Sequence, residues 1–287
     1  MTVCFDLKLC IHKKEYWEPH RTMTALAKAD SPSQDEVVEV INSSGQGDFL
    51  LACEHASRFI PPEFENLGLE PDALHSHVAW DPGALGVAEE ISTQLDAPLV
   101  AQRISRLVYD CNRPPESESA MPEKSEVFEV PGNIGLSQAQ RQARIDQYYV
   151  PFQQTLSAQI DRHISRILPP VLITIHSFTP TYFGAERNLD IGILHDNDSR
   201  FADGLLASLQ SETQFVVARN QPYGPADGVT HTLVHHALPR GLMNVMIEIR
   251  NDIIDTPASQ QKMGEILSNH VTGVLGKLIT SIGETRQ

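Results

Sequence analysis

The chain has 287 residues, ample for a buried core and enough for one large α/β domain or two small ones, so a peptide scaffold held by disulfides is excluded. With 22 Lys+Arg against 37 Asp+Glu the formal charge is −15, a field that repels phosphate backbones and anionic membranes and argues against nucleic-acid or membrane partners. At 41% hydrophobic and 21% charged the composition is that of a folded globular protein. No apolar run approaches the ~20 residues of a membrane helix. The N-terminus, with Asp6, His12, Lys13, Lys14 and Glu15, lacks a signal-peptide core, and the expected location is cytoplasmic. Cys4, Cys10, Cys53 and Cys111 form no CxxC pair, so buried free thiols are expected.

Residues 1–48 read as a leader, with Ser31-Pro32-Ser33-Gln34-Asp35 as a linker, ahead of a single α/β domain over 49–287. Its first predicted strand is Phe49–Cys53, followed by a helix over Gly83–Leu95 and strands over Leu99–Gln102 and Leu107–Cys111. Prolines and glycines between Pro114 and Leu136 mark a long irregular loop, a common form for a segment that contacts substrate. A long helix begins at Ser137, whose hydroxyl suits an N-cap, and runs to about Ile167, where Pro169-Pro170 stops it. Strands over Val171–Ile175, Leu189–Leu194, Phe215–Arg219 and Val245–Ile249 follow, with helices over Arg200–Leu209 and about Ala258 to Ile282. Short apolar runs alternating with longer amphipathic ones predict a mixed, mostly parallel sheet flanked on both faces by helices, a three-layer α/β fold.

Polar groups collect where these strands end: Glu54-His55, Asp110-Cys111-Asn112-Arg113, His176-Ser177 and Glu248-Ile249-Arg250. The carboxyl edge of an open α/β sheet is where ligands bind. Taken singly, a histidine at a strand end is commonly a hydrogen-bonded structural residue, and Asp110 or Asn112 can shape a turn. Glu248 is different, because a carboxylate among Val245, Met246, Ile247 and Ile249 costs several kcal/mol (roughly) if buried unpaired; its bland explanation is an ion pair with Arg250. His55 and His176 can supply two imidazoles to a catalytic zinc, which needs a third protein ligand. Glu54, Asp81 and His77 are the candidates, Asp81 in Trp80-Asp81-Pro82-Gly83 serving otherwise as a helix cap.

Five ordered segments carry a resemblance: Cys53-Glu54-His55-Ala56-Ser57-Arg58, Trp80-Asp81-Pro82-Gly83-Ala84, Ser105 through Pro114, Ile175-His176-Ser177-Phe178, and Met246 through Asp252. Together they resemble the N-formylglutamate amidohydrolase family, from Phe49 to the C-terminal helix. That resemblance implies a fold similar to the zinc carboxypeptidases. His176 then matches their last zinc histidine, Asn112-Arg113 their carboxylate-clamping pair, and the Glu248 strand the one bearing their catalytic glutamate. Where those enzymes carry a glutamate ligand three residues after the first histidine, this chain has Arg58. Asp81 is assigned to that ligand position, with Glu54 next.

The expected function is hydrolysis of the amide bond of an N-acyl amino acid such as N-formylglutamate, with one Zn2+ per chain on His55, Asp81 and His176. Zinc acidifies water and polarises the acyl oxygen. Glu248 is expected to take the proton and return it to the departing amine, and Arg106 to face the oxyanion. Asn112, Arg113 and Arg187 are expected to hold the substrate's carboxylates, a duty guanidinium forks perform bidentately. Thr232 and His236 are weighed as substrate contacts, and His75 and His77 as partners near Asp81 or solvated histidines. The competing readings are a carboxypeptidase or amidase acting on a peptide-like substrate, and a non-catalytic module that binds anions.

Overall fold

Along the central apolar segments, alternate side chains face opposite layers, and this alternation builds the architecture. The structure, a computed structural model, describes residues 37–164 and 169–285. In chain order the elements are β1 (Val38–Ile41), β2 (Phe49–Cys53), α1 (Pro71–His75), α2 (Ala84–Leu95), β3 (Leu99–Gln102), the hairpin β4 (Lys124–Ser125) and β5 (Phe128–Glu129), α3 (Gln138–Arg144), α4 (Val150–Ile164) and β6 (Val171–Phe178). They continue with the hairpin β7 (Thr181–Tyr182) and β8 (Ala185–Glu186), β9 (Ile191–Leu194), α5 (Arg200–Glu212), β10 (Val217–Arg219), β11 (Asn244–Arg250) and α6 (Pro257–Thr285).

Seven strands form one sheet in the order β1-β3-β2-β6-β11-β9-β10. β2 runs parallel to β3 and β6, β6 parallel to β11, and β9 parallel to β10. β1 against β3 and β9 against β11 are antiparallel, so the sheet is mixed and mostly parallel. Phe49, Leu51, Ile173, Ile175, Val245 and Ile247 point to one face and pack with Val87 and Ile91 of α2, Phe201 and Leu205 of α5 and Leu267 of α6. Leu50, Ala52, Leu172 and Met246 point to the other and pack with Phe152, Leu156 and Ile160 of α4. This period of two decides the site, because His176 and Glu248 fall on the α4 face of their strands.

Helix starts follow their side chains. Ser137 accepts the backbone N–H of Gln140 at 3.3 Å while Gln140 Oε1 accepts the Ser137 N–H at 2.9 Å, a reciprocal capping box for α3. The expected long helix is interrupted once, by a wide π turn at Ile145–Tyr149, and its expected end near Ile167 lies outside the described residues. Residues 1–36 of the expected leader, Cys4 and Cys10 among them, also lie outside; Val38–Ile41 is described and forms the sheet edge. Cys53 and Cys111 are buried and free.

One predicted strand is corrected. Leu107–Cys111 is a chain of turns: Val108 N–H donates to the Ser105 carbonyl (2.9 Å), Leu107 N–H to the Ser105 hydroxyl (3.2 Å), and Asp110 N–H to the Ala120 carbonyl (2.8 Å). Its apolar residues are packed beneath α4 instead of being paired in the sheet. A short apolar run reports burial, and extension is only one way to achieve it. Among the described residues no helix is long and apolar enough to cross a membrane.

Candidate active site

Three neighbouring strands and the turn before α2 deliver the site. β2 ends at Cys53 and hands on Glu54 and His55. β6 carries His176, and β11 sets Glu248 directly beside it in register. Asp81 comes from the turn before α2, tied to the same edge by its N–H, which donates to the His55 carbonyl at 3.0 Å. That turn needs Gly83, which has φ +81° and sits where a Cβ would run into the Ile254 carbonyl.

His55 Nδ1 and His176 Nδ1 face each other at 3.2 Å, and Asp81 Oδ2 lies 3.2 Å from the first and 3.0 Å from the second. The outer nitrogens face carboxylates: His55 Nε2 is 2.7 Å from Asp110 Oδ1, and His176 Nε2 is 3.2 Å from Glu54 Oε2. With a carboxylate behind each Nε2, both Nδ1 atoms face inward, toward each other and Asp81. Two imidazole nitrogens and a carboxylate oxygen this close need a proton or a cation between them.

Donor atoms bound tetrahedrally to zinc stand about 3.4 Å apart by the usual bond lengths, near the separations seen here. His55, Asp81 and His176, all buried, are also the one group among the described residues whose ligand atoms gather within 4.8 Å in this way. Four carboxylates (Glu54, Asp81, Asp110 and Glu248) are buried around the pair, with Arg106 the guanidinium placed between two of them. An excess of buried carboxylates beside two imidazoles is a donor set suited to a divalent cation. Asp81, not Glu54, is the carboxylate that faces both Nδ1 atoms.

The charges pull on one another strongly. Burial, the largest influence on each, works to raise the Asp81 and Asp110 carboxyls, but His55 and His176 together at Asp81, and His55, Arg106 and Arg113 together at Asp110, more than offset it, so both lie below the usual carboxylate range. Burial works to lower His176, and Glu54 and Asp81 overturn it, leaving this histidine well above its ordinary value when no cation is present. Glu248 moves the other way. Burial pushes its carboxyl up to about 7, the charge of Asp81 adds to the rise, and His176 opposes it. Its Oε2 is buried without a hydrogen-bond partner. Arg250 does not neutralise it; that guanidinium pairs with Asp190 (3.1 Å) and Asp252 (2.7 Å).

These groups open into a cavity of about 510 Å³, a size suited to a small ligand. Arg106 lines it while its two terminal nitrogens reach Asp81 Oδ1 (3.5 Å) and Asp110 Oδ2 (3.0 Å), bracing both aspartates around His55. Asn112 lines it too, with its carboxamide already engaged: Nδ2 donates to the Val229 carbonyl (2.5 Å) and Oδ1 accepts the Thr232 N–H (3.0 Å). Arg113 donates to Ser119 Oγ and the Asn112 carbonyl. Arg187 lies 4.4 Å from the Tyr182 ring centre and 4.9 Å from that of Tyr223, whose hydroxyl accepts a hydrogen bond from it at 3.0 Å. Neither Arg113 nor Arg187 has a carboxylate partner among the described residues, although the chain as a whole is strongly acidic.

All eight expected site residues therefore line one cavity. Arg58, at the position where the carboxypeptidase pattern has a ligand, lies instead over the Trp80 ring. Thr232 and His236 are buried but do not line the cavity, and His236 Nε2 bonds Gln153 Oε1 at 2.5 Å. His75 bonds the Pro71 carbonyl of its own helix at 2.7 Å. His77 lines the cavity and pairs with Glu126 at 2.9 Å. Glu126, Tyr182 and Tyr223 also line the cavity, and no motif in the sequence points to them. They sit on hairpins and loops, where no periodicity points inward. Asp110 had a signal, two residues before Asn112 in the same turn.

The family model of N-formylglutamate amidohydrolase matches residues 47–254, and the chain belongs to that family of amide-cleaving hydrolases. Among solved structures it is similar to a gene product of Agrobacterium tumefaciens, with 51% identity over 87% of this chain and 98% of that one and a TM-score of 0.84. An N-formylglutamate amidohydrolase from Ralstonia eutropha shares the fold at 17% identity, with 86% and 98% of the chains covered and a TM-score of 0.59. No curated protein matches the sequence.

Proposed function

We propose that the protein is a zinc-dependent hydrolase that cleaves the amide bond of an N-acyl acidic amino acid, N-formylglutamate being the model substrate. The observation that carries this reading is the inward-facing pair of Nδ1 atoms closed by Asp81, with Glu248 alongside. His55, Asp81 and His176 would hold the ion. Zinc, when bound, supplies Lewis acidity and brings the pKa of water to near 7.

The chain's own residues do the rest. Glu248 takes a proton from the attacking water and returns it to the amine nitrogen as the C–N bond breaks. Burial suits it to both duties, because a carboxyl near pH 7 exchanges its proton at little cost. Arg113 and Arg187 bind the substrate's carboxylates, which supply the counter-charge these guanidiniums lack. The Tyr182 and Tyr223 rings hold Arg187 in place and exclude water beside it. Arg106 is part-exposed at the cavity, with 28% of its side chain accessible, and presents positive charge to the developing oxyanion while bracing Asp81 and Asp110.

Release of free amine from a panel of N-acyl amino acids and short N-acyl peptides tests the substrate class. Rapid turnover of N-formylglutamate over N-formylleucine is expected. Preference for peptides would instead establish the peptidase reading, and no turnover of any amide would leave an anion-binding module.

A further inference from the structure

Glu54 has no part in the reaction just described, yet it is fully buried and stands next to the candidate metal centre. Neither of its oxygens has a well-formed hydrogen bond, while Oε2 lies 3.2 Å from Nε2 of His176. Water and surface cations are shut out, so burial of this charge has to be balanced from within the site. Its position mirrors that of Asp110. Asp110 stands behind His55 on Nε2 and Glu54 behind His176 on Nε2, while the two Nδ1 atoms face each other in front. A histidine that binds a metal through one nitrogen takes its tautomer and orientation from the partner of the other. Because Glu54 precedes His55 directly, the end of β2 serves both imidazoles, supplying one and backing the other.

We propose that Glu54 is a positioning residue of the metal centre: its carboxylate keeps the proton of His176 on Nε2, turns Nδ1 toward the site and strengthens the binding of a divalent cation. This rests on the zinc reading above. The test is the zinc dissociation constant of the full-length chain, stripped of metal and titrated against a chromogenic chelator, for wild type and Glu54→Gln. Circular dichroism confirms that each is folded. The amide keeps the shape and removes the charge, and a rise of about 10- to 100-fold is expected. Wild type and a folded Glu54→Gln that bind zinc equally tightly overturn this inference alone, whereas a wild type that binds no zinc overturns the zinc reading with it. A second readout is independent of the variant's folding. In the long-range 1H–15N spectrum of the zinc-loaded wild type, His176 is expected protonated at Nε2; a proton on Nδ1 overturns the proposal.

Discussion

Glu248 combines three features seldom found together: a strand position within the core, a carboxylate oxygen with no hydrogen-bond partner, and a pKa pushed up to about 7. His176 is held above its ordinary pKa by Glu54 and Asp81, against the pull of burial. Without metal, both groups therefore hold their protons more firmly than a free imidazole and a free carboxylate do. A dication binding among these groups expels those protons, so zinc affinity is expected to rise with pH through the neutral range. Calorimetric titration with zinc in buffers of different ionisation enthalpy checks this, and binding without proton release would contradict it. At the anion end of the cavity, Arg113→Ala and Arg187→Ala are each expected to raise KM for N-formylglutamate by about 10- to 200-fold, the loss of a charged hydrogen bond. Turnover of an uncharged N-formyl amino acid should barely change. Equal losses on both substrates would remove the arginines from carboxylate recognition.

At the scale of elements, the site depends on how the turn before α2 is built. Gly83→Ala places a Cβ against the Ile254 carbonyl at a positive φ, and is expected to cost at least about 1 kcal/mol of stability. Because Asp81 is two residues away, the same variant should bind zinc more weakly. Thermal melts and metal titration check both. A distant comparison is Ser137→Ala, which removes the α3 cap at a cost of about 1 kcal/mol and should leave metal binding intact. β2 and β3 were legible to the residue, because a short apolar run signals burial and both strands meet it by pairing on two sides within the sheet. Leu107–Cys111 was misread for the same reason in reverse, its buried side chains serving turns. His55, His176 and Glu248 stood out as polar residues interrupting or ending apolar strands. Glu126 and Tyr223 did not, since only folding brings β4, β5 and the 220s loop to the cavity.

For the whole molecule, a −15 chain places at one cavity two guanidiniums, Arg113 and Arg187, that have no carboxylate partner among the described residues, and these are the charges an anion can meet there. The buried carboxylates at and behind that cavity leave an excess of negative charge that a bound dication would offset, so the zinc reading predicts that stability and metal content are linked. Stripping the ion should lower the melting temperature, and zinc at about 1,000 times its dissociation constant should restore about 4 kcal/mol. The central claim is that His55, Asp81 and His176 hold a zinc ion beside Glu248 acting as base. Metal content and formate release from N-formylglutamate, measured together on wild type and Glu248→Gln, test it most directly. One zinc per chain is expected in both proteins, with turnover in the variant lower by orders of magnitude. Full activity in Glu248→Gln, or in wild type after exhaustive chelation, would contradict it.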